Sequence, residues 1–120
     1  MKENEINNVF NEIEYKGNKY KIVFNLNVME VIQDEYGTIN KWGELTDGSN
    51  GEINIKALIF GIWAMINEGI DIKNEDEGTD IKPFTIKQVG RMLTEIGLKE
   101  MTDKVNQTVI ESTKSDEKNA

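Results

Sequence analysis

The sequence predicts an α+β fold, in which an N-terminal antiparallel β-hairpin packs on a mostly helical domain of about four helices. Three observations carry this prediction. Two short runs that alternate between apolar and polar residues flank turn residues near the N-terminus. An apolar run with no polar face occupies residues 55–66, and two amphipathic segments follow at 86–96 and 98–111. A length of 120 residues fits a single domain.

Composition limits the classes of function that the chain can have. It contains no cysteine and no histidine, so disulfides, thiolate metal sites and the commonest general base are excluded. The net charge is −8, from 22 acidic and 14 basic residues. Since phosphate contacts need clustered lysine and arginine, we do not expect nucleic-acid binding. No signal peptide or apolar run of about 20 residues is visible, which predicts an intracellular protein that is not in a membrane.

A β-hairpin is the first predicted element. Residues 9–15 and 19–24 alternate in the manner of half-buried strands. Lys16-Gly17-Asn18 lies between them and predicts a turn, because its glycine and asparagine both tolerate positive φ. Opposite charges across the two strands favour their pairing. The side chains expected to face each other are Glu12, Glu14, Lys19 and Lys21.

Two short helical segments are predicted after the hairpin. Asn27 begins a pattern that resembles a capping box and predicts a helix over 28–36, which Gly37 ends. Thr38 can cap a further short turn through Leu45, in which one face of Trp42 is buried.

The apolar run at 55–66 predicts a central core helix on which the other elements pack. Asn54 can cap its start, and Gly69 can end it in a left-handed conformation. We interpret Trp63 as a core residue and not as a ligand-stacking residue. One stripe of the helix carries small residues and predicts the close approach of a neighbour; its members are Ala57, Gly61 and Ala64.

Residues 70–83 form the most polar part of the chain. Between Glu68 and Asp80 there are six acids and one lysine, a local charge of −5. The spacing does not fit the common calcium loop, because Lys73 and Phe84 take the places of its first and last ligands. We expect a mobile, solvated loop that becomes ordered when a basic partner docks.

Two amphipathic helices end the sequence. Thr85 can cap the first, over 86–96, and Gly90 within it allows close packing. The second ends near Glu111, and its apolar stripe has three interpretations: a partner-binding surface, completion of the core, or self-association. The stripe consists of Leu98, Met101, Val105 and Val109. The predicted divisions of the chain are a flexible N-terminus at 1–7, a single α+β domain at 8–112 and a disordered tail at 113–120.

No arrangement of residues in the sequence predicts catalysis. A nucleophile would have to act without histidine, and no nucleophile elbow, phosphate loop or dinucleotide fingerprint is present. The carboxylate pair Glu12 and Glu14 belongs to a strand face that also carries lysines, and the pair Asp34 and Glu35 belongs to an exposed helix face. We therefore expect a protein that is not an enzyme and that holds no metal or cofactor.

Two stretches carry a resemblance to a known family. The first is Phe24-Asn-Leu-Asn-Val-Met-Glu-Val-Ile-Gln-Asp-Glu-Tyr-Gly37, and the second is Lys56-Ala-Leu-Ile-Phe-Gly-Ile-Trp-Ala-Met-Ile-Asn-Glu-Gly69. They resemble the strand-to-helix junction and the apolar second helix of small tail assembly chaperones from long-tailed bacteriophages and prophages of Gram-positive hosts. The resemblance covers residues 20–69 and extends weakly through Ile96.

This resemblance implies a function without catalysis. Chaperones of this family bind the tape measure protein in the cytoplasm of the bacterial host and recruit tail tube subunits. Two alternatives remain open: an acidic inhibitor or decoy of a nucleic-acid-binding protein, and a structural tail or connector component of the virion. A decoy should carry its acids as a fixed array on helices or strands, whereas the predicted loop holds most of the net charge.

Overall fold

The computed structural model describes residues 11–119 and confirms the α+β class, with a two-stranded antiparallel hairpin followed by five helices. The predicted flexible segment at 1–7 and the start of the first predicted strand lie outside the described residues. The elements are β1 Glu12–Tyr15, β2 Asn18–Lys21, α1 Leu26–Tyr36, α2 Ile39–Thr46, α3 Ile55–Glu77, α4 Ile86–Ile96 and α5 Leu98–Asn119.

The hairpin has the register that its charges predict. Glu12 pairs with Lys21 and Glu14 with Lys19 across the two strands. The turn is one residue shorter than predicted, because Asn18 already belongs to β2. Its two central residues, the lysine and glycine at 16 and 17, have φ angles of 51° and 80°. Positive φ at both positions matches the right-handed twist of the strands that flank such a turn.

Helix α3 is the centre of the fold. Its stripe of small residues contacts Trp42, which agrees with the predicted close approach of a neighbour. A Cβ atom on Gly61 would overlap the Trp42 ring and lie 2.8 Å from Cε2. The indole Nε1–H donates to the backbone oxygen of Ala57 at 2.9 Å. Trp42 is only 2% exposed, so the whole ring is buried and not one face as expected.

The predicted end of the central helix at Gly69 is wrong. Helix α3 continues to Glu77 and ends at Gly78, whose φ of 71° is left-handed. Gly69 lies where the hairpin crosses the helix, and a Cβ there would overlap the backbone carbonyl oxygen of Lys21. One turn earlier on α3, the Val23 N–H donates a hydrogen bond to the Met65 carbonyl at 3.2 Å. This glycine is therefore required by the close approach of two backbones.

The mobile loop predicted at 70–83 is also wrong. Its first part belongs to α3, and the rest is tied back to α3 by two asparagines. The Asn67 amide donates to the Phe84 carbonyl at 2.9 Å and accepts from the Phe84 N–H at 2.8 Å. Asn74 makes the same pair of bonds with Ile81, both at 3.0 Å. Polar residues that suggested a loop thus satisfy the backbone of an ordered extended segment.

Most of the helix starts agree with the sequence. Thr38, Asn54 and Thr85 each accept a backbone N–H in the first turn of a helix, as predicted. The first helix instead begins two residues early, because Asn25 and not Asn27 accepts the N–H of Val28.

The C-terminal segment differs from the prediction. Helix α5 does not end near Glu111 before a disordered tail at 113–120, but continues to Asn119. Local bonds favour this continuation: the Thr113 hydroxyl donates to the carbonyl of Ile110 at 2.9 Å, and Lys114 pairs with Glu111 at 3.8 Å.

Candidate protein-binding groove

The four residues predicted as a partner surface do not form one surface. Met101 and Val105 are 0% and 1% exposed and belong to the main core cluster. Val109 is half-buried against that cluster, while Leu98 is 41% exposed at the start of α5. For Met101 and Val105 the structure supports the core interpretation, because α5 has to bury its apolar stripe to stay on the domain.

Val109 nevertheless lines a concave and largely apolar surface. This surface, the α2–α5 groove, has a volume of about 480 Å³. It lies between α2 and the C-terminal half of α5, and the segment before α1 contributes to its floor. Its lining residues are Phe24, Met29, Ile39, Asn40, Trp42, Gly43, Glu44, Asp47, Val109 and Thr113.

The floor of the α2–α5 groove is aromatic and held in place. The rings of Phe24 and Trp42 stack with centroids 6.4 Å apart and planes inclined by 18°. Trp42 cannot rotate freely, because its Nε1–H is bonded to Ala57 and its ring contacts Gly61. Beside this rigid floor, Met29 is half-buried and unbranched, so its side chain can adapt to what enters the groove.

One wall of the groove is open because Gly43 has no side chain. A Cβ built on Gly43 meets no atom within 4 Å, although the residue lies inside α2. Opposite this gap, α5 presents Val109 and Thr113. Ile110, which does not line the groove, is 52% exposed and lies one turn before Thr113 on α5.

The rim of the groove is negative. Glu44 and Asp47 line it, and its lining contains no lysine or arginine. A hydrogen bond from the Ser49 backbone N–H, 2.8 Å long, holds the pKa of Asp47 below its usual range. The Asp47 carboxylate is therefore ionised at neutral pH, and the groove combines an apolar floor with a negative edge.

Two further grooves are less suited to an apolar partner. A cavity of about 320 Å³ between β2 and α3 is lined by both acids and lysines, including the pair Lys73 and Glu77, whose charged atoms are 2.9 Å apart. A cavity of about 180 Å³ between α1 and α3 holds Trp63 and Glu68. It is smaller than the 300–1,000 Å³ that is typical of small-molecule sites.

Among the side chains that the structure describes, at residues 11–114, we find no group of three or more carboxylates placed to hold a metal ion. The same part of the chain has no helix that combines the length and apolarity needed to cross a bilayer. The pair Glu12 and Glu14 faces lysines on β2, so these acids serve the pairing of the strands.

Comparisons of the chain with protein-family models, with curated proteins and with solved structures each found no match. The observations that bear on function are therefore the α2–α5 groove and the resemblance carried by residues 20–69. Sequence reasoning missed Phe24, Met29 and Gly43 as groove residues. The one available signal was Gly43, a glycine inside an otherwise amphipathic helix.

Proposed function

We propose that the protein is a non-enzymatic tail assembly chaperone, which binds the tape measure protein and assists tail tube assembly in the cytoplasm of a bacterial host. The observation that supports this most is the α2–α5 groove, an apolar floor with a negative rim on a strongly acidic domain. Such a groove suits one face of an amphipathic helix from a partner. The net charge of −8 would keep a complex with an aggregation-prone partner dispersed.

Co-expression tests this proposal. The chain is produced together with the tape measure protein of the same genome, and soluble complex is scored by pull-down and size exclusion; the tail tube protein is tested in the same way. We expect the tape measure protein to become soluble and to co-elute. If it remains insoluble and alone, the chaperone proposal is wrong, and detection of the chain in purified virions would support a structural component instead.

The acidic decoy is a second candidate, and one observation favours it. The sequence predicts that most of the net charge lies in a loop, whereas in the structure Glu75, Asp76 and Glu77 lie on the last turn of α3. A helix C-terminus favours cations, but the last turn of α3 carries no basic residue, and Lys73, one turn earlier, pairs with Glu77 at 2.9 Å. A variant with Gln, Asn and Gln at these positions should lose the ability to displace DNA from a basic DNA-binding protein of the same genome. Equal displacement by the native chain and the variant excludes this role for α3.

A further inference from the structure

We infer that the α2–α5 groove binds one amphipathic helix whose apolar residues are flanked by lysine or arginine. The inference deepens the proposed function and rests on it, since it assigns a surface and a chemistry to the partner of the chaperone. Three features of the groove lead to it: the secondary structure of its walls, the sign of its charge and its length.

The walls of the groove favour a helix over an extended peptide. An extended peptide brings unpaired N–H and C=O groups, which an exposed strand edge would have to satisfy. Both long walls of the groove are helices, whose own backbone groups are already bonded along the axis. A partner helix also carries a satisfied backbone, so it can bury apolar side chains against Phe24 and Met29 without leaving polar groups unpaired.

The charge of the rim selects the polar residues of the partner. Glu44 and Asp47 lie on the α2 side, and the residues lining the groove offer no positive charge. An incoming helix with lysine or arginine beside its apolar row places unlike charges together. A helix with acids at those positions meets like charges at short range, which costs affinity and slows association.

The length of the groove limits how much of the helix is bound. From Ile39 to Asp47 the α2 wall covers about two helical turns, or roughly 12 Å at 1.5 Å per residue. Two apolar side chains of a partner, spaced i and i+4, fill this length. We therefore expect weak binding of a single site, with a dissociation constant on the order of 0.1–1 mM. Repeated sites along one helical partner would raise the overall affinity.

A synthetic peptide tests the inference without the tape measure protein. The probe is an alanine-based 18-residue helix with leucines at i, i+4 and i+7 and lysines beside them; the control peptide has glutamates in place of the lysines. Binding to the full-length protein is followed by ¹H–¹⁵N NMR. The indole N–H signal of Trp42 reports the groove floor, and that of Trp63, which lines a different cavity, is the internal reference.

We expect the lysine peptide to shift the Trp42 signal and to bind at least about tenfold more tightly than the glutamate peptide at low salt, with the difference shrinking as salt is added. Equal affinity of the two peptides overturns the selection by charge. A shift of the Trp63 signal without the Trp42 signal overturns the assignment to this groove. A Trp42 shift that depends on protein concentration alone overturns it in favour of a second copy of the chain.

Gly43 offers a matched pair of variants. Gly43→Leu places a side chain in the open space of the groove, whereas Gly43→Ala adds one methyl group that meets no atom within 4 Å. Circular dichroism confirms that both variants fold. We expect Gly43→Leu to weaken binding of the lysine peptide by about tenfold or more and Gly43→Ala to retain it within about threefold. Unchanged binding by folded Gly43→Leu contradicts the inference.

The same variants separate this inference from the proposed function. If the tape measure protein stays insoluble while the lysine peptide binds at Trp42, the proposed function fails and the groove assignment stands. If the tape measure protein co-elutes equally well with Gly43→Leu and with the native chain, the proposed function stands and the groove assignment fails.

Discussion

The crossing of the hairpin over α3 predicts a large loss of stability from the substitution Gly69→Ala. A methyl group at this position overlaps the Lys21 carbonyl oxygen and lies 3.1 Å from the carbonyl carbon. These are backbone atoms, so no side-chain rotation relieves the overlap. The hairpin and helix have to separate by on the order of 1 Å, which also strains the hydrogen bond from Val23 to Met65.

The free energy of this change has three contributions. Alanine gains about 1 kcal/mol over glycine inside a helix. Against this, overpacking costs about 1–3 kcal/mol, or more where backbone has to move, and a weakened hydrogen bond costs about another 1 kcal/mol. We expect a net destabilisation of about 1–3 kcal/mol. For a domain of this size the melting temperature falls by about 4–15 °C.

Gly90→Ala is the matched control, because it makes the same chemical change inside a helix where there is room. A Cβ at Gly90 lies 3.6 Å from the Ile59 side chain, an ordinary contact. This variant should gain about 0.5–1 kcal/mol from helix propensity. Thermal and urea unfolding followed by circular dichroism measure both variants. If Gly69→Ala is as stable as Gly90→Ala, the reasoning about the backbone crossing is refuted.

Three further predictions concern single side chains. Among the described residues the buried hydroxyl of Thr102 has no hydrogen-bond partner, so Thr102→Val should stabilise the protein by about 1 kcal/mol, as measured by urea unfolding. Thr108→Val is the control and should not stabilise the protein, because it loses a 2.8 Å hydrogen bond to a backbone carbonyl. Lys16→Asn should raise the melting temperature, corresponding to about 0.5 kcal/mol, because asparagine tolerates positive φ better. Because folding lowers the pKa of Asp47, its ionised carboxylate stabilises the fold at pH values above the unfolded-state pKa. This stabilisation is lost as the pH falls through the folded-state pKa. Asp47→Asn should remove that part of the acid-induced loss of stability, which is measured by unfolding at a series of pH values.

Local patterns in the sequence were sufficient for much of the fold. The hairpin register followed from the charges at 12, 14, 19 and 21, and three helix starts followed from capping residues. These features depend on neighbours within a few positions or directly across a turn. Because these contacts are short in range, the sequence alone was sufficient to predict the hairpin register and the three helix starts.

Several features that depend on distant contacts were not predicted. In the sequence, Gly69 looks like a residue that ends a helix. Its role in the close approach of two backbones is visible only when the fold brings Lys21 against it. Asn67 and Asn74 contribute to a polar segment that suggests a loop, but their amides bind backbone groups seven and more residues away. A polar residue that satisfies an extended backbone and one that is solvated have the same appearance in a sequence.

The groove could not be predicted for the same reason, and its position now separates the two main functional candidates. Its floor combines Phe24 and Trp42, which are 18 residues apart, and its second wall is the end of α5. The acids that favour the decoy lie elsewhere, on the last turn of α3. Because the two surfaces belong to different helices, each can be altered while the other is kept. If Gly43→Leu loses binding to the tape measure protein and the neutralised α3 variant keeps it, the chaperone is supported. If the neutralised α3 variant loses the displacement of DNA and Gly43→Leu keeps it, the decoy is supported.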